Sequence, residues 1–239
     1  MDNDKIIIAR IEDKLKQCKR GSYITKTGFL NMHEQSLAMR VTRGRTDVKY
    51  FFYGGYEDAE RRILIFVPEG YADTLEVALE MIKPLSVLHI KVAPCGRKLT
   101  HRDYLGSVLS LGLDRTVIGD ILVHDKGADM IVNAEIVNFL ISEFHSAGHT
   151  NLQIKASEIE ELEVPEQRVK AVRDTLSSPR LDNVVSAAFH ISRSEAVRAI
   201  KGGIVFVNHE EVTKVDKRID EGDTIVLRGK GKAILAELS

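Results

Sequence analysis

Near the C-terminal end of this 239-residue chain, Arg193, Arg198, Lys201 and Lys230 have the types and spacing of a phosphate-binding surface. Arg198 and Lys201, three residues apart, project together from one face of a helix, beside an apolar stripe of Ala196, Val197 and Ile200. Arg193 falls in the first turn of that helix, where backbone N–H groups point outward and favour an anion. Arg180 precedes a partner helix, and Arg228, Lys230 and Lys232 surround Gly229 and Gly231, which permit close backbone approach. Heads spread in this way match the phosphates of a folded polynucleotide. Such contacts position a protein without reading sequence, and double-stranded RNA is recognised mainly by shape.

Bulk charge does not explain this patch. The whole chain carries a formal net charge of −1, so any polyanion site must be local. From Arg180 to Ser239 ten Lys and Arg face nine Asp and Glu. They are segregated, however: acids gather at Glu210-Glu211 and across Asp220 to Asp223, bases on the helix and the Gly-Lys turn.

Other chemistries find little support. The chain has no G-x-x-x-x-G-K-[ST], H-E-x-x-H or G-x-S-x-G motif, and no G-x-G-x-x-G after a strand. His145 and His149 have no cysteine or third ligand close in sequence, so no metal is expected, and no cofactor. Asp182, in Arg180-Leu181-Asp182, has the context of a pseudouridine synthase nucleophile, but it opens a 60-residue module too small to enclose a uridine. It is expected to cap a helix or to pair with an arginine. Cys18 lies on the apolar stripe Ile11/Leu15/Cys18 and is expected to be a buried thiol, while Cys95 sits in a Pro-Cys-Gly turn. The Ile6-Ile7-Ile8 run is too short for a signal-peptide core, and no apolar window approaches the roughly 20 residues that cross a bilayer. The expectation is a soluble cytoplasmic protein, without membrane insertion, acting as a monomer.

The elements that must position these groups fall into three modules of an α+β chain. Residues 1–71 hold a helix from about Asp4 to Arg20, a second around Met32 to Met39, and strands at Val48 to Tyr53 and Arg62 to Val67. Residues 72–157 read as β-α-β-β-α-β, the ferredoxin-like, RRM-like order. Its strands are Leu85 to Val92, Val117 to Val123, Ala128 to Val132 and Asn151 to Lys155. Its first helix is capped by Thr100 with Asp103, and its second by Asn133. Residues 158–179 form an acidic linker and arm: five glutamates lie between Ser157 and Gln167, and Arg168 to Ser178 is a strand or arm leading in.

The last module, residues 180–239, has a short helix on Leu181, Val184, Val185 and Ala188. A second helix is boxed by Ser192 and Glu195 and stopped by Gly202 or Gly203. Strands follow at Ile204 to Val207, Thr224 to Arg228 and Ala233 to Leu238.

Arg180-Leu181-Asp182, Ser192-Arg193-Ser194, Gly203, Val207-Asn208, Gly222-Asp223 and Arg228-Gly229-Lys230-Gly231 together resemble the S-four RNA-binding domain (the αL module). Asn208 is followed by His209 where that family commonly has glycine. The rest resembles one S-four-containing family, the YlmH-type proteins of Gram-positive bacteria. Phe51-Phe52-Tyr53-Gly54-Gly55-Tyr56-Glu57-Asp58-Ala59-Glu60-Arg61, His101-Arg102-Asp103-Tyr104-Leu105-Gly106 and Ile118-Gly119-Asp120-Ile121 carry this resemblance.

The resemblance implies a family-specific N-terminal α/β domain, an RRM-like central domain and a C-terminal S-four domain. It also implies a non-enzymatic role on structured rRNA or tRNA of the large ribosomal subunit, in the rescue of stalled subunits carrying peptidyl-tRNA, and a link to cell division and its proteins. The candidate RNA contacts are Arg180, Ser192, Arg193, Ser194, Arg198, Lys201, Asn208, Arg228, Lys230 and Lys232. An RNA-modifying enzyme with the S-four domain as substrate handle is the alternative, and it requires a cleft at Gly54-Gly55 and Arg61. A protein-binding division scaffold is another. In the central sheet the third strand lacks aromatic residues and the first offers only His89, so base stacking in the usual RRM manner is not expected. Lys91, Arg97, Lys98, Arg102 and Arg115 could still touch an RNA backbone.

Overall fold

The computed structural model describes residues 2–92, 98–164 and 171–237. The Cys95 turn, Arg97, the end of the acidic linker and the start of the arm lie outside the described residues. The chain forms two compact units, one of Met1–Asn31 with Leu37–Glu166, the other of Met32–Ser36 with Gln167–Ser239.

In the first unit, helix α1 (Asp2–Gly21) buries Ile7, Ile11, Leu15 and Cys18 along one stripe, with Cys18 fully enclosed. Three strands, β1 (Thr25–Lys26), β2 (Lys49–Tyr53) and β3 (Ile63–Val67), pair antiparallel in the order β1-β3-β2. Every residue of β3 is buried, which explains its uninterrupted apolar sequence: a strand covered on both faces has no polar side to show. Leu64 and Phe66 join the core of α1 and α2 (Met32–Thr42), while Ile63, Ile65 and Val67 pack with Phe29, Leu85 and Ile131. Helix α2 runs three residues beyond the expected Met39, because Val41 packs on that core and the Thr42 hydroxyl donates to the Ala38 carbonyl at 3.1 Å.

Helix α3 (Leu75–Ile82) is not signalled by its sequence. Leu75, Ala78, Leu79 and Ile82 have helical spacing, but exposed Val77 and Met81 blur the polar face. The helix ends on Lys83 in the left-handed conformation, immediately before Pro84.

The central sheet consists of β4 (Leu85–Val92), β5 (Ile118–His124), β6 (Gly127–Asn133), β7 (Ser146–Ala147) and β8 (Thr150–Ser157), in the order β5-β6-β4-β8-β7. With α4 (His101–Leu109) and α5 (Val137–Glu143) it realises the expected βαββαβ order. Leu88, Ile90, Met130, Val132 and Leu152 point to the helices, where Tyr104, Val108, Leu140 and Phe144 complete the core. The Asp103 carboxylate accepts from the Thr100 backbone N–H and hydroxyl, as the capping box requires. Asn133 does not cap the second helix. It ends β6, a short 3₁₀ turn (Ala134–Ile136) intervenes, and its buried Oδ1 meets no donor among the described residues. The acidic linker is also less solvated than its composition suggests: Ile159 and Leu162 pack on the first unit's core.

Asp120 joins the two signature segments of this unit. A β-bulge at Gly119-Asp120 interrupts the β5–β6 register. A Cβ on Gly119 would lie 2.7 Å from the Phe29 ring, so only glycine allows that ring its place. The buried Asp120 carboxylate accepts from the Tyr56 hydroxyl (2.9 Å) and from the backbone N–H groups of Glu60 (2.7 Å) and Arg61 (3.1 Å). Burial, reinforced by that carboxylate, pushes the Tyr56 hydroxyl's pKa far up. Asp120→Ala leaves three donors without their acceptor and should cost about 3–5 kcal/mol of the first unit's stability, measurable by urea denaturation.

The Arg61 guanidinium donates to the carbonyls of Phe29, Ile118 and Arg115, and Arg115 donates to that of Gly119. Burial, with the Arg61 charge beside it, lowers the Arg115 pKa to about 10. Gly54 is enclosed as well, with its Cβ position 2.3 Å from the Ala59 Cβ. Both glycine loop and arginine are thus packed, against the cleft that the enzyme alternative requires, and Arg115 is engaged in holding the fold.

Candidate nucleic-acid interface

In the second unit, α6 (Leu181–Ala188) and α7 (Arg193–Lys201) lie on a sheet of β9 (Val205–Val207), β10 (Glu210–Glu211), β11 (Thr224–Leu227) and β12 (Gly231–Ile234), ordered β10-β9-β11-β12. The last strand begins two residues earlier than expected and ends at Ile234, and the described part of the arm, 171–178, contains no strand. Leu181, Val184 and Val185 of α6 meet Ala196 and Ile200 of α7 over Val205, Val207, Ile225 and Leu227.

Helix α7 is delimited at both ends. Ser192 Oγ accepts from the Glu195 N–H, while the Glu195 carboxylate accepts from the Ser192 N–H (2.8 Å) and hydroxyl (2.7 Å). These hydrogen bonds, then the charges of Arg198 and Lys230, hold the Glu195 carboxyl below its ordinary pKa. At the other end Gly203 has φ +68°; its N–H reaches the Ile200 carbonyl, and that of Ile204 reaches Ala199. This is the Schellman arrangement, with Gly203 as the left-handed residue and Gly202 as the C-cap.

At about 100° per residue, Ser194, Arg198 and Lys201 fall within about 60° of one another on the side away from Ala196 and Ile200. All three are exposed. The side chains of Arg198, Lys201 and Lys230 carry no hydrogen bond or ion pair among the described residues. Ser194 Oγ touches Ser192 Oγ at 3.1 Å.

Arg193 points along the other flank, toward α6. Its Nε and Nη2 lie 2.9 and 2.8 Å from Asp182 Oδ2, and Arg180 Nε lies 3.1 Å from Asp182 Oδ1. Asp182 is 1% exposed, whereas the two arginine side chains are 43% and 58% exposed. Burial raises the Asp182 pKa, but hydrogen bonds from Arg180 and Arg193 outweigh it, and the net shift is downward. Of the two roles expected for Asp182, the structure shows the pairing. The cap is unnecessary, because the carbonyls of Lys217 and Val215 receive the Leu181 and Asp182 N–H groups. One buried carboxylate therefore fixes two half-exposed guanidiniums.

Two further candidates serve the fold directly. Asn208 Nδ2 donates to Asp223 and its Oδ1 accepts from the Thr224 N–H, so both ends of the amide are engaged within the unit. Asn208 and His209 have φ +49° and +68° in the two-residue turn between β9 and β10, so His209 adopts the conformation in which glycine is easiest. Arg228 lies over the buried Phe206 ring, 5.8 Å from its centroid, a cation–π contact that the sequence does not disclose. Lys232 is exposed on β12. Among the described residues no group of three or more His, Cys, Asp or Glu is placed to hold a metal.

The chain matches three families in succession. Residues 3–71 match "YlmH, N-terminal", residues 66–161 match "Putative RNA-binding domain in YlmH", and residues 179–225 match the S4 domain, the S-four module above. It is 32% identical over 212 residues to the "Ribosome-associated protein quality control protein P2" of Bacillus subtilis, covering 89% of this chain and 80% of that one. Among solved structures it resembles "Cell division protein ylmH from Streptococcus pneumoniae", with a TM-score of 0.54 at 18% identity, over 68% of this chain and 96% of that one.

Proposed function

From the premise that this chain belongs to the YlmH family, we propose that it is a non-enzymatic, ribosome-associated protein whose S4 unit clamps structured rRNA or tRNA. The observation that carries this reading is the outward group Arg198, Lys201 and Lys230, flanked by Arg180 and Arg193 on their shared carboxylate. The curated relative's name supports a place in ribosome-associated quality control, which we assign to the large subunit, in the cytoplasm. Among the described residues no helix is long and apolar enough to cross a membrane. A connection to division rests on the Streptococcus protein's name alone.

Crosslinking the protein to RNA in growing cells and sequencing the attached fragments tests the proposal. Reads concentrated in large-subunit rRNA and tRNA are expected. Reads scattered over messenger RNA, or no recovered RNA, would sink it.

A further inference from the structure

The acidic linker meets the edge strand β2 at Tyr53. Beside that residue, the last of β2, the first unit has a cleft of about 210 Å³. Tyr53, Leu79, Pro84 and Ile159 give it apolar walls, and Glu80 and Glu160 stand at its rim. The linker reaches this place because Ile159 and Leu162 pack on the core of the first unit. A 3₁₀ turn (Ile159–Glu161) joins these two anchors, and Glu158, Glu160 and Glu161 are left exposed.

Charge at the rim is one-sided. Lys83 also lines the cleft, but it pairs with Glu158 at 3.4 Å. Glu76 accepts from the Thr74 hydroxyl and its own N–H at the start of α3. Glu80 and Glu160 are exposed and carry no ion pair among the described residues. The cleft is smaller than the roughly 300–1,000 Å³ of sites that enclose a small-molecule ligand. It fits one long side chain, with an aliphatic stem on the apolar walls and a cationic head at the carboxylates, as arginine and lysine lie where apolar surface meets water.

Strand β2 offers more than a wall. It pairs with β3 on one side, and among the described residues no strand pairs with the other. Lys49 and Tyr50 are exposed, and Phe51, Phe52 and Tyr53 are partly so. Edge strands are ordinarily guarded against further pairing by proline, a bulge or free charge. This one has no proline and an unbroken register, and its single charge, on Lys49, is bonded to Asp73.

We propose that this edge and cleft dock an extended, basic peptide segment of a partner protein. The segment pairs its main chain with β2, and one arginine or lysine enters the cleft beside Tyr53 to reach Glu80 and Glu160. Charge and backbone together choose the occupant. Carboxylates at the rim repel the phosphates of RNA, and an unpaired strand edge offers main-chain hydrogen bonds at a spacing that a polypeptide matches and a polyamine does not. The site lies within the first unit and does not rest on the S4 clamp.

The test uses the full chain and a fluorescent peptide of alternating arginine and valine, with a glutamate–valine peptide as its control. Glu80→Gln with Glu160→Gln should weaken binding of the arginine peptide at least tenfold and leave binding of an RNA hairpin within twofold. Asp13→Asn with Glu143→Gln, an equal change of charge at exposed positions elsewhere, should leave the peptide within twofold. Methylating alternate backbone nitrogens of the probe removes strand donors but keeps every side chain, and should also abolish binding. Failure of the arginine peptide to bind, an equal loss with both pairs, or equal binding of the glutamate peptide would each overturn the proposal. So would undiminished binding of the methylated probe, which would leave only a cation site. A dimer in sedimentation velocity that the Glu80/Glu160 change dissolves would assign the edge to a second copy, and would overturn it too. Peptide and hairpin are separate readouts, so a failed edge site and a failed clamp give different results.

Discussion

Reversing Arg198 and Lys201 together to glutamate should weaken binding of an RNA hairpin by about two orders of magnitude at ~0.1 M salt. The slope of log affinity against log salt should become shallower by about 1.5–2, the contribution of two phosphate contacts. Co-sedimentation with the large subunit should be lost. Both side chains are exposed and have no internal hydrogen bond or ion pair among the described residues, so stability should change by no more than about 0.5 kcal/mol per substitution. Geometry makes this pair a cleaner choice than Arg193 with Lys201, because Arg193 is bonded to Asp182 and its reversal would set a carboxylate against a buried carboxylate. Unchanged hairpin affinity in the folded double variant would remove the S4 surface from the account.

Asp182→Asn should also weaken RNA binding, by about tenfold or ~1.4 kcal/mol, although it makes the surface more positive. Net charge alone predicts the opposite sign, so the direction separates two explanations. If Asp182 acts by holding Arg180 and Arg193 in fixed orientations, the variant loses affinity. If it merely offsets their charge, the variant gains. The substitution should cost about 1–3 kcal/mol in stability, because a neutral amide replaces the buried carboxylate shared by two cations. The pH dependence has a definite sign. A carboxyl whose folded pKa is depressed contributes fully above its unfolded value of about 3.9, and that contribution fades as pH falls through the folded value. The melting-temperature gap between wild type and variant should therefore be widest at neutral pH and close in acid. A constant gap would assign the cost to packing.

Local chemistry was legible where it is local in sequence. The capping boxes at Thr100 and Ser192 and the left-handed glycine after α7 each require a few adjacent residues. Alternation and helical spacing revealed the βαββαβ order. The role of Asn133 and the existence of α3 are not legible locally, because a cap depends on where the chain turns next, and an apolar stripe is obscured when the exposed side is also apolar. Ile159 and Leu162 were hidden among glutamates because two isolated side chains have no period.

The amino-acid order by itself determined which groups could bind phosphate, that they sit on α7 and the Gly-Lys turn, and that bulk charge plays no part. Only the tertiary structure decided which cations face outward and which are tied down. Asp182 meets Arg193 across two helices, Asp120 gathers a loop sixty residues away, and strand register lays His89 between Asp129 and Ser157. The physical reason is the same in each case. Hydrogen bonds and ion pairs act over about 3–4 Å, and folding alone brings residues distant along the chain within that range.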